Sequence, residues 1–321
     1  MRAPKTLQQA IIHFANADNC LAYMVSHRWP EGVECPTCGR KDVSYLANQK
    51  KWQCKSGHAK RQFTAKVGTI FEDSPLGLET WLPAVWLIVT AKNGVSSCEI
   101  SRSLGVTQKT AWFMLHRIRK AMQNGSFAKL GGNGGEVEVD ETFIGGKSRN
   151  MHVSKRERRI TGTGGRDKTA VMGFLERGGQ VKTAVVPNRK TGAIQGNVRK
   201  HVEAGSALYT DALMSYCGLG SEYAHQVVDH AVEYVNGQVH TNGLENFWSL
   251  LKRGINGTYV SIEPFHLFRY LDEQTFRYNN RATKDNPLTD SDRFSAVLSQ
   301  VAGKRLTYAE VTGKVSQTTI H

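Results

Sequence analysis

The tightest constraint on this chain is a pair of thiols two residues apart, Cys35-Pro-Thr-Cys38-Gly. A turn closed by thiolates at that spacing presents both sulfurs to one tetrahedral ion. Downstream, Cys54 is followed by His58 rather than by a cysteine three residues on, so the expected ligand set is Cys35, Cys38, Cys54 and His58. The basic segment around these residues is too short to bury much apolar surface, and a structural Zn²⁺ would staple it. Four protein ligands leave no open coordination position, which makes this ion structural rather than catalytic. Unligated thiols are the competing reading.

With 321 residues the chain has room for two or three domains, and its 40% hydrophobic content is enough to build cores. Asn124-Gly125 followed by Gly131-Gly132-Asn133-Gly134-Gly135 is the clearest linker. Helical patterning precedes it, with Leu7, Ile11, Ile12 and Phe14 in one run and Asp18 placed to cap another over Cys20 to His27. After the linker, Val137 and Val139 alternate with Glu136, Glu138 and Asp140, which predicts a strand ending at the carboxylates. Thr169 to Leu175 and Val181 to Val186 read as a hairpin, and Ala207 to Thr210 as a strand leading into Asp211. Helical patterns follow over Gly192 to His201, Leu244 to Leu251 and Pro264 to Asn279. Strands first and helices interleaved later indicate an α/β core with a mixed sheet. The expected segments are a helical stretch over residues 1–30, a zinc ribbon over 31–73, a helical domain over 74–124, an α/β domain over 136–285 and a tail over 286–321.

Lysine and arginine total 42 against 28 acidic residues, and the formal charge of +14 favours a polyanionic partner. Nucleic acid comes first, although ribosome-associated and membrane-surface proteins share such charge. The opening residues show no apolar core before a small-residue cleavage site, and the apolar run between Thr80 and Lys92 falls short of the ~18 residues that span a bilayer, so a cytoplasmic protein without membrane contact is expected. Six cysteines are too few for a disulfide scaffold. Cys20, Cys98 and Cys217 read as small core residues.

Ser96 or Ser97 can cap a helix through Leu104, Gly105 supplies a turn, and Thr107 caps a second helix to about Met122. Ala111, Met114, Leu115 and Ile118 form its core stripe. Gln108, Lys109, His116, Arg117, Arg119 and Lys120 are then left for solvent or phosphate. This is either a helix-turn-helix, with Gln108 and Lys109 in the first turn of a recognition helix, or a plain hairpin with a solvated basic face.

Three carboxylates could hold divalent ions for phosphodiester chemistry: Asp140, Asp211 and Glu245, the last at the start of a helix in His240-Thr-Asn-Gly-Leu-Glu-Asn-Phe-Trp-Ser-Leu-Leu-Lys-Arg253. Each has a plainer role open to it. Glu245 could complete a cap with Asn242, Asp211 could start a turn, and Glu138 or Glu141 could stand in for Asp140. Lys252, two helical turns beyond Glu245 and about 10 Å away on the same face, could hold a phosphate or be an exposed lysine.

Beyond these residues, Val67-Gly-Thr-Ile-Phe-Glu-Asp-Ser74, Leu104 to Arg119, Val139-Asp-Glu-Thr-Phe-Ile-Gly-Gly146, Val239 to Gly254 and Phe276-Arg-Tyr-Asn-Asn-Arg281 together strongly resemble one family. It is the bacterial insertion-sequence DDE transposases of the ISXO-type group, related to the eukaryotic Merlin transposases. The resemblance covers most of the chain. It implies an RNase H-like catalytic domain preceded by the zinc ribbon and a helix-turn-helix domain. It also implies Mg²⁺ or Mn²⁺ as working ion, a triad at Asp140, Asp211 and Glu245, and a trailing Lys252. Some relatives carry asparagine where Glu245 stands. The Cys54-to-His58 half departs from the commoner two-cysteine knuckle.

The activity so implied is cleavage at insertion-sequence ends and strand transfer into target DNA, by a homo-oligomer assembled on DNA, with Gln108, Lys109, Arg117, Lys252 and Arg253 as DNA contacts. His230 and His240 fall near the third carboxylate in sequence and are candidates to support the metal ligands, with His225 a more distant one. The glycine-rich basic stretch from Lys147 to Lys168 is either a solvated loop or a track for the DNA backbone. Competing functions are a DNA-binding regulator without catalysis and a stand-alone RNase H-like nuclease.

Overall fold

In the computed structural model, residues 4–123, 125, 128–132, 134–146, 151–160, 168–228 and 240–314 are described, with backbone alone at 155 and 159. The chain divides into two compact units. One is Met1–Gln123 with Asn280–His321, and the other is Asn124–Asn279.

The first unit begins with helices α1 (Leu7–Phe14) and α2 (Ala17–Arg28). Asn16, not Asp18, caps α2, accepting from the amides of Asp18 and Asn19. A three-stranded antiparallel sheet follows: β1 (Val43–Leu46), β2 (Lys51–Cys54) and β3 (Gln62–Phe63), in the order β1-β2-β3. Then come α3 (Leu78–Thr90), α4 (Ser97–Leu104) and α5 (Gln108–Met122). The α4–α5 hairpin is written locally. Ser96 and Glu99 close a capping box, Gly105 adopts φ +66° in the turn, and Thr107 accepts the Thr110 amide to start α5.

The second unit opens with β4 (Glu136–Ile144), which runs four residues past Asp140 instead of ending there, because its far half pairs with a neighbouring strand. Next are α6 (Val153–Arg159), β5 (Thr169–Glu176), β6 (Val181–Val186), α7 (Thr191–His201), β7 (Ala207–Asp211), β8 (Ala224–Val228), α8 (Asn242–Gly254) and α9 (Leu267–Asn279). Among the described residues the sheet is five-stranded, in the order β6-β5-β4-β7-β8. β4–β5 and β5–β6 are antiparallel, and β4–β7 and β7–β8 parallel.

Alternation along β4 and β5 divides the core in two. Val137, Val139, Met172 and Phe174 pack with Ile194 and Val198 of α7 on one face. Val171 and Leu175 pack with Leu244, Phe247, Trp248 and Leu251 of α8 and Leu271 of α9 on the other. The result is three layers, helix on sheet on helix.

The chain then returns to the first unit through α10 (Asp290–Ser299) and α11 (Tyr308–Val311). Part of the stretch expected as a tail from residue 286 is therefore core, through Phe294, Val297 and Leu298 of α10 and Val311 of α11. Phe294 is fully buried, its ring centroid 5.5 Å from Phe14, 5.7 Å from Tyr23 and 5.2 Å from Trp86. Of the lone cysteines, Cys20 is buried as expected, but Cys98 and Cys217 are exposed, in the first turn of α4 and in a loop after β7. No described helix is long and apolar enough to cross a membrane.

Candidate active site and metal-ligating residues

The parallel pairing of β4 with β7 sets Glu138 beside Tyr209. Two residues further along each strand, at the same register, stand Asp140 and Asp211. Both point to the face that α8 covers, and Glu141, from the opposite face, turns its carboxylate to them. Oxygens of Asp140, Glu141 and Asp211 all lie within 4.8 Å of one another. Such a group of hard oxygen donors fits a divalent cation of the Mg²⁺ or Mn²⁺ kind.

Each carboxylate is held by a specific neighbour. The Trp248 indole N–H donates to Asp140 Oδ2 at 3.0 Å. The Tyr216 hydroxyl donates to Glu141. Asp211 accepts the Leu213 amide at 3.1 Å, so it does start a turn, and its second oxygen is left for the cluster. Burial, then the charge of Asp211, pushes the Asp140 carboxyl up to about 6. Burial pushes Glu141 up to about 7 against the opposing Tyr216 hydrogen bond.

Glu245 is outside that close group. It is exposed, one turn before Trp248 on α8, and its charge contributes to raising Asp140. The cap proposed with Asn242 does not form, because Thr241 is the N-cap and Asn242 is already the first residue of the helix. Glu138 instead reaches across from β4 to accept the Leu244 amide at 3.1 Å, and also holds Arg177 at 3.1 Å. Glu138 is thus a buried anchor for the start of α8 rather than a substitute for Asp140.

Two glycines allow the helix to approach. A Cβ on Gly243 would lie 2.1 Å from Leu175 and 2.8 Å from Glu138, and one on Gly173, which pairs with Asp140, would lie 2.7 Å from Trp248. Lys252 and Arg253 are exposed at the far end of α8. His240 sits at the anchor, 3.4 Å from Glu138. His225 bonds Thr210 at 2.9 Å on the opposite face of the sheet. His230 lies outside the described residues, as do Lys147, Arg149 and Arg166 of the basic stretch, which includes α6.

Residue-level reading missed Trp248 and Tyr216 and offered Glu141 only as a replacement. The signal for Trp248 was its position three residues after Glu245, on the same helical face.

In the first unit, Cys35, Cys38, Cys54 and His58 converge, with ligand atoms within 4.8 Å of one another. His58 Nδ1 lies 2.6 Å from the Ala59 carbonyl, which can only accept. Nδ1 therefore carries the proton, and Nε2, 3.3 Å from Cys35 Sγ, presents its lone pair. Hydrogen bonds from the Ser56 hydroxyl and amide pull the Cys54 thiol down to about 6. A thiolate set closed by one neutral imidazole fits tetrahedral Zn²⁺.

Of the expected DNA contacts in this unit, Gln108 and Lys109 are exposed in the first turn of α5. Gln108 donates to Ser97 at 2.8 Å, and the Lys109 ammonium lies 4.9 Å from the Tyr308 ring. Arg117 is not on the surface. It is 3% exposed, stacked near Trp81 and Phe113, and donates to the Glu72 carbonyl. His116, Arg119 and Lys120 are buried as well. At the C-terminal end of α5 the segment near residue 305 lies over the helix, where Lys120 donates to the Arg305 carbonyl at 2.6 Å and Lys304 to the Ala121 carbonyl at 3.1 Å.

A three-layer α/β unit with an acidic cluster on two adjacent parallel strands, in a chain that also carries a zinc ribbon, is the arrangement of a transposase-family protein. The model of the ISXO2-like transposase domain matches residues 131–279, and that of the transposase zinc-ribbon domain matches residues 15–59, which hold all four zinc ligands. The chain is 28% identical over 256 residues to a protein in transposable element ISH50 of Halobacterium salinarum, across 75% of this chain and 82% of that one. It is 33% identical over 106 residues to a transposase-like protein of Haemophilus influenzae, across 33% of this chain and 85% of that one. The chain belongs to the ISXO2-like transposase family.

Proposed function

We propose that this protein is a DNA transposase that cuts at the ends of its mobile element and joins the freed 3′ end to target DNA, with Asp140, Asp211 and Glu245 as the acidic triad. The observation that carries the reading is the equal register of Asp140 and Asp211 on adjacent parallel strands, with α8 anchored over them and Glu245 on its approach. The strand order and directions of the second sheet support an RNase H-like fold. The α4–α5 hairpin supports a helix-turn-helix, with Gln108 and Lys109 exposed in the first turn of α5, where they would exchange their contacts with Ser97 and Tyr308 for DNA.

Mg²⁺ or Mn²⁺ held by these carboxylates would activate the attacking oxygen and stabilise the leaving one. Within the protein, Trp248 fixes the Asp140 carboxylate, the Leu213 amide fixes one oxygen of Asp211, and Glu138 with Arg177 fixes the helix that bears Glu245. Lys252 and Arg253 give that helix two exposed cations for the DNA backbone. Two or more subunits would pair the two ends.

The test is joining of a labelled element end to a plasmid, with and without Mg²⁺, beside Asp211→Ala. Metal-dependent joined product, lost in a variant that still binds the end, is expected. Cutting without joining would indicate a nuclease, and binding without chemistry a regulator.

A further inference from the structure

The active site leaves one surface of the zinc ribbon without a task. Alternation along β1, β2 and β3 sends Tyr45, Trp52 and Phe63 to one face as a cross-strand row, and Trp29 covers it, 5.7 Å from Trp52 and 6.1 Å from Phe63 between ring centroids. The opposite face carries the next row, Ser44, Gln53 and Gln62, also paired strand to strand. Ser44 and Gln62 are exposed and Gln53 is half-buried.

Gln62 Nε2 donates to Gln53 Oε1 at 3.4 Å, so the two amides lie side by side, and the Gln53 Nε2 donors and the Gln62 Oε1 acceptor are not used by that bond. Lys51 flanks Gln53 on the same face of β2. Lys55 extends that strand through its amide bond to the Asp42 carbonyl, and Lys60 precedes β3. The facing acid is Asp42, 2.7 Å from the Lys55 ammonium, with both groups exposed. An exposed pair of this kind contributes little and is readily exchanged for a phosphate.

We infer that this face reads base edges in the major groove of duplex DNA, with Gln53 and Gln62 on the bases and Lys51, Lys55 and Lys60 on the flanking phosphates. The geometry suits the partner. The major groove admits a β-ribbon, glutamine amides match the paired acceptor and donor of adenine, and the lysines supply the charge that a polyanion requires. The zinc staple at the end of the sheet fixes β1 and β2 and hence the spacing of the row. Which duplex is read follows from the transposase reading, on which the inference rests in that respect.

The test uses full-length, zinc-loaded protein and fluorescence anisotropy over a series of salt concentrations without divalent ions. The probes are a duplex from the end of the element that carries the coding sequence and a shuffled duplex of the same composition. With Gln53→Ala/Gln62→Ala, the preference for the element end is expected to fall on the order of tenfold to a hundredfold, while affinity for the shuffled duplex and its salt dependence hold. Lys51→Ala should weaken both duplexes alike and lower the salt slope by about 1. Gln62→Ala alone, at an exposed position, and the zinc content of each variant guard against misfolding.

Preference retained in the double variant, or equal loss on both duplexes, overturns the base-reading face and leaves the joining assay to judge the transposase reading by itself. A wild-type protein with no preference for either duplex overturns both.

Discussion

At Asp140 a single hydrogen bond links packing to chemistry. Trp248 is buried against the sheet because Gly173 leaves room for its ring, and the same indole gives its N–H to the Asp140 carboxylate. Hydrogen bonds to charged groups contribute about 1.5–3 kcal/mol, and residues that orient a metal ligand typically affect metal affinity by roughly 10–100-fold. Trp248→Phe keeps most of the packing and loses the donor. Calorimetric titration should show Mn²⁺ binding weakened by about tenfold or more, with a melting temperature near that of the wild type.

The carboxyls raised to about 6 at Asp140 and about 7 at Glu141 set a pH dependence. Because both values lie above the ordinary carboxylate range, the metal-free fold draws stability from the neutral forms. That contribution is complete below about pH 4 and lost as pH rises through 6 and 7. A divalent ion reverses the preference by favouring the charged forms. Mn²⁺ binding should therefore tighten from pH 5.5 to 8 and release more protons at the lower value, as titrations in buffers of different ionisation enthalpy would measure.

Asp140 and Asp211 stand out in the sequence because apolar alternation announces the strands that carry them, although β4 runs on past Asp140. Glu141 does not. Neighbours on a strand point to opposite faces, and the long Glu141 side chain, held by Tyr216, brings its oxygens back to the pair.

The elements divide by how local their determinants are. The α4–α5 hairpin was readable residue by residue, since Ser96, Gly105 and Thr107 act within a few positions of themselves. The basic half of α5 was not, because segments distant in the chain pack on it, Glu72 and Trp81 at Arg117 and residues near 305 at Lys120. Arg117 read as a phosphate ligand by helical period alone, and its stacking near Trp81 and its bond to Glu72 have no local signature.

The same long-range closure explains why α10 escaped notice as core. Its apolar residues are few, and its partners lie in α1, α2 and α3. Phe294→Ala should cost about 3–5 kcal/mol, the range for a buried aromatic emptied to alanine. In calorimetry the transition of the first unit should move down while that of the second stays in place. Equal loss from both transitions would contradict the assignment of α10 to the first unit.

At the scale of the whole molecule the two units offer different chemistry. A zinc-stapled, basic unit carries exposed cations and amides suited to DNA. An α/β unit gathers carboxylates on two parallel strands under an anchored helix. The net charge of +14 fits a protein whose partner is a polyanion at both places.

The central claim is that strands β4 and β7 and helix α8 hold one divalent-ion site, and metal-directed cleavage of the polypeptide tests it most directly. Fe²⁺ bound in place of Mg²⁺ and treated with ascorbate and peroxide cuts the backbone beside its ligands. The account predicts cuts near Asp140, Asp211 and Glu245, suppressed by excess Mg²⁺ and lost in Asp211→Asn, apart from any cuts between Cys35 and His58. Cuts confined to the zinc ribbon, or cuts in the second unit that persist in Asp211→Asn, would contradict it.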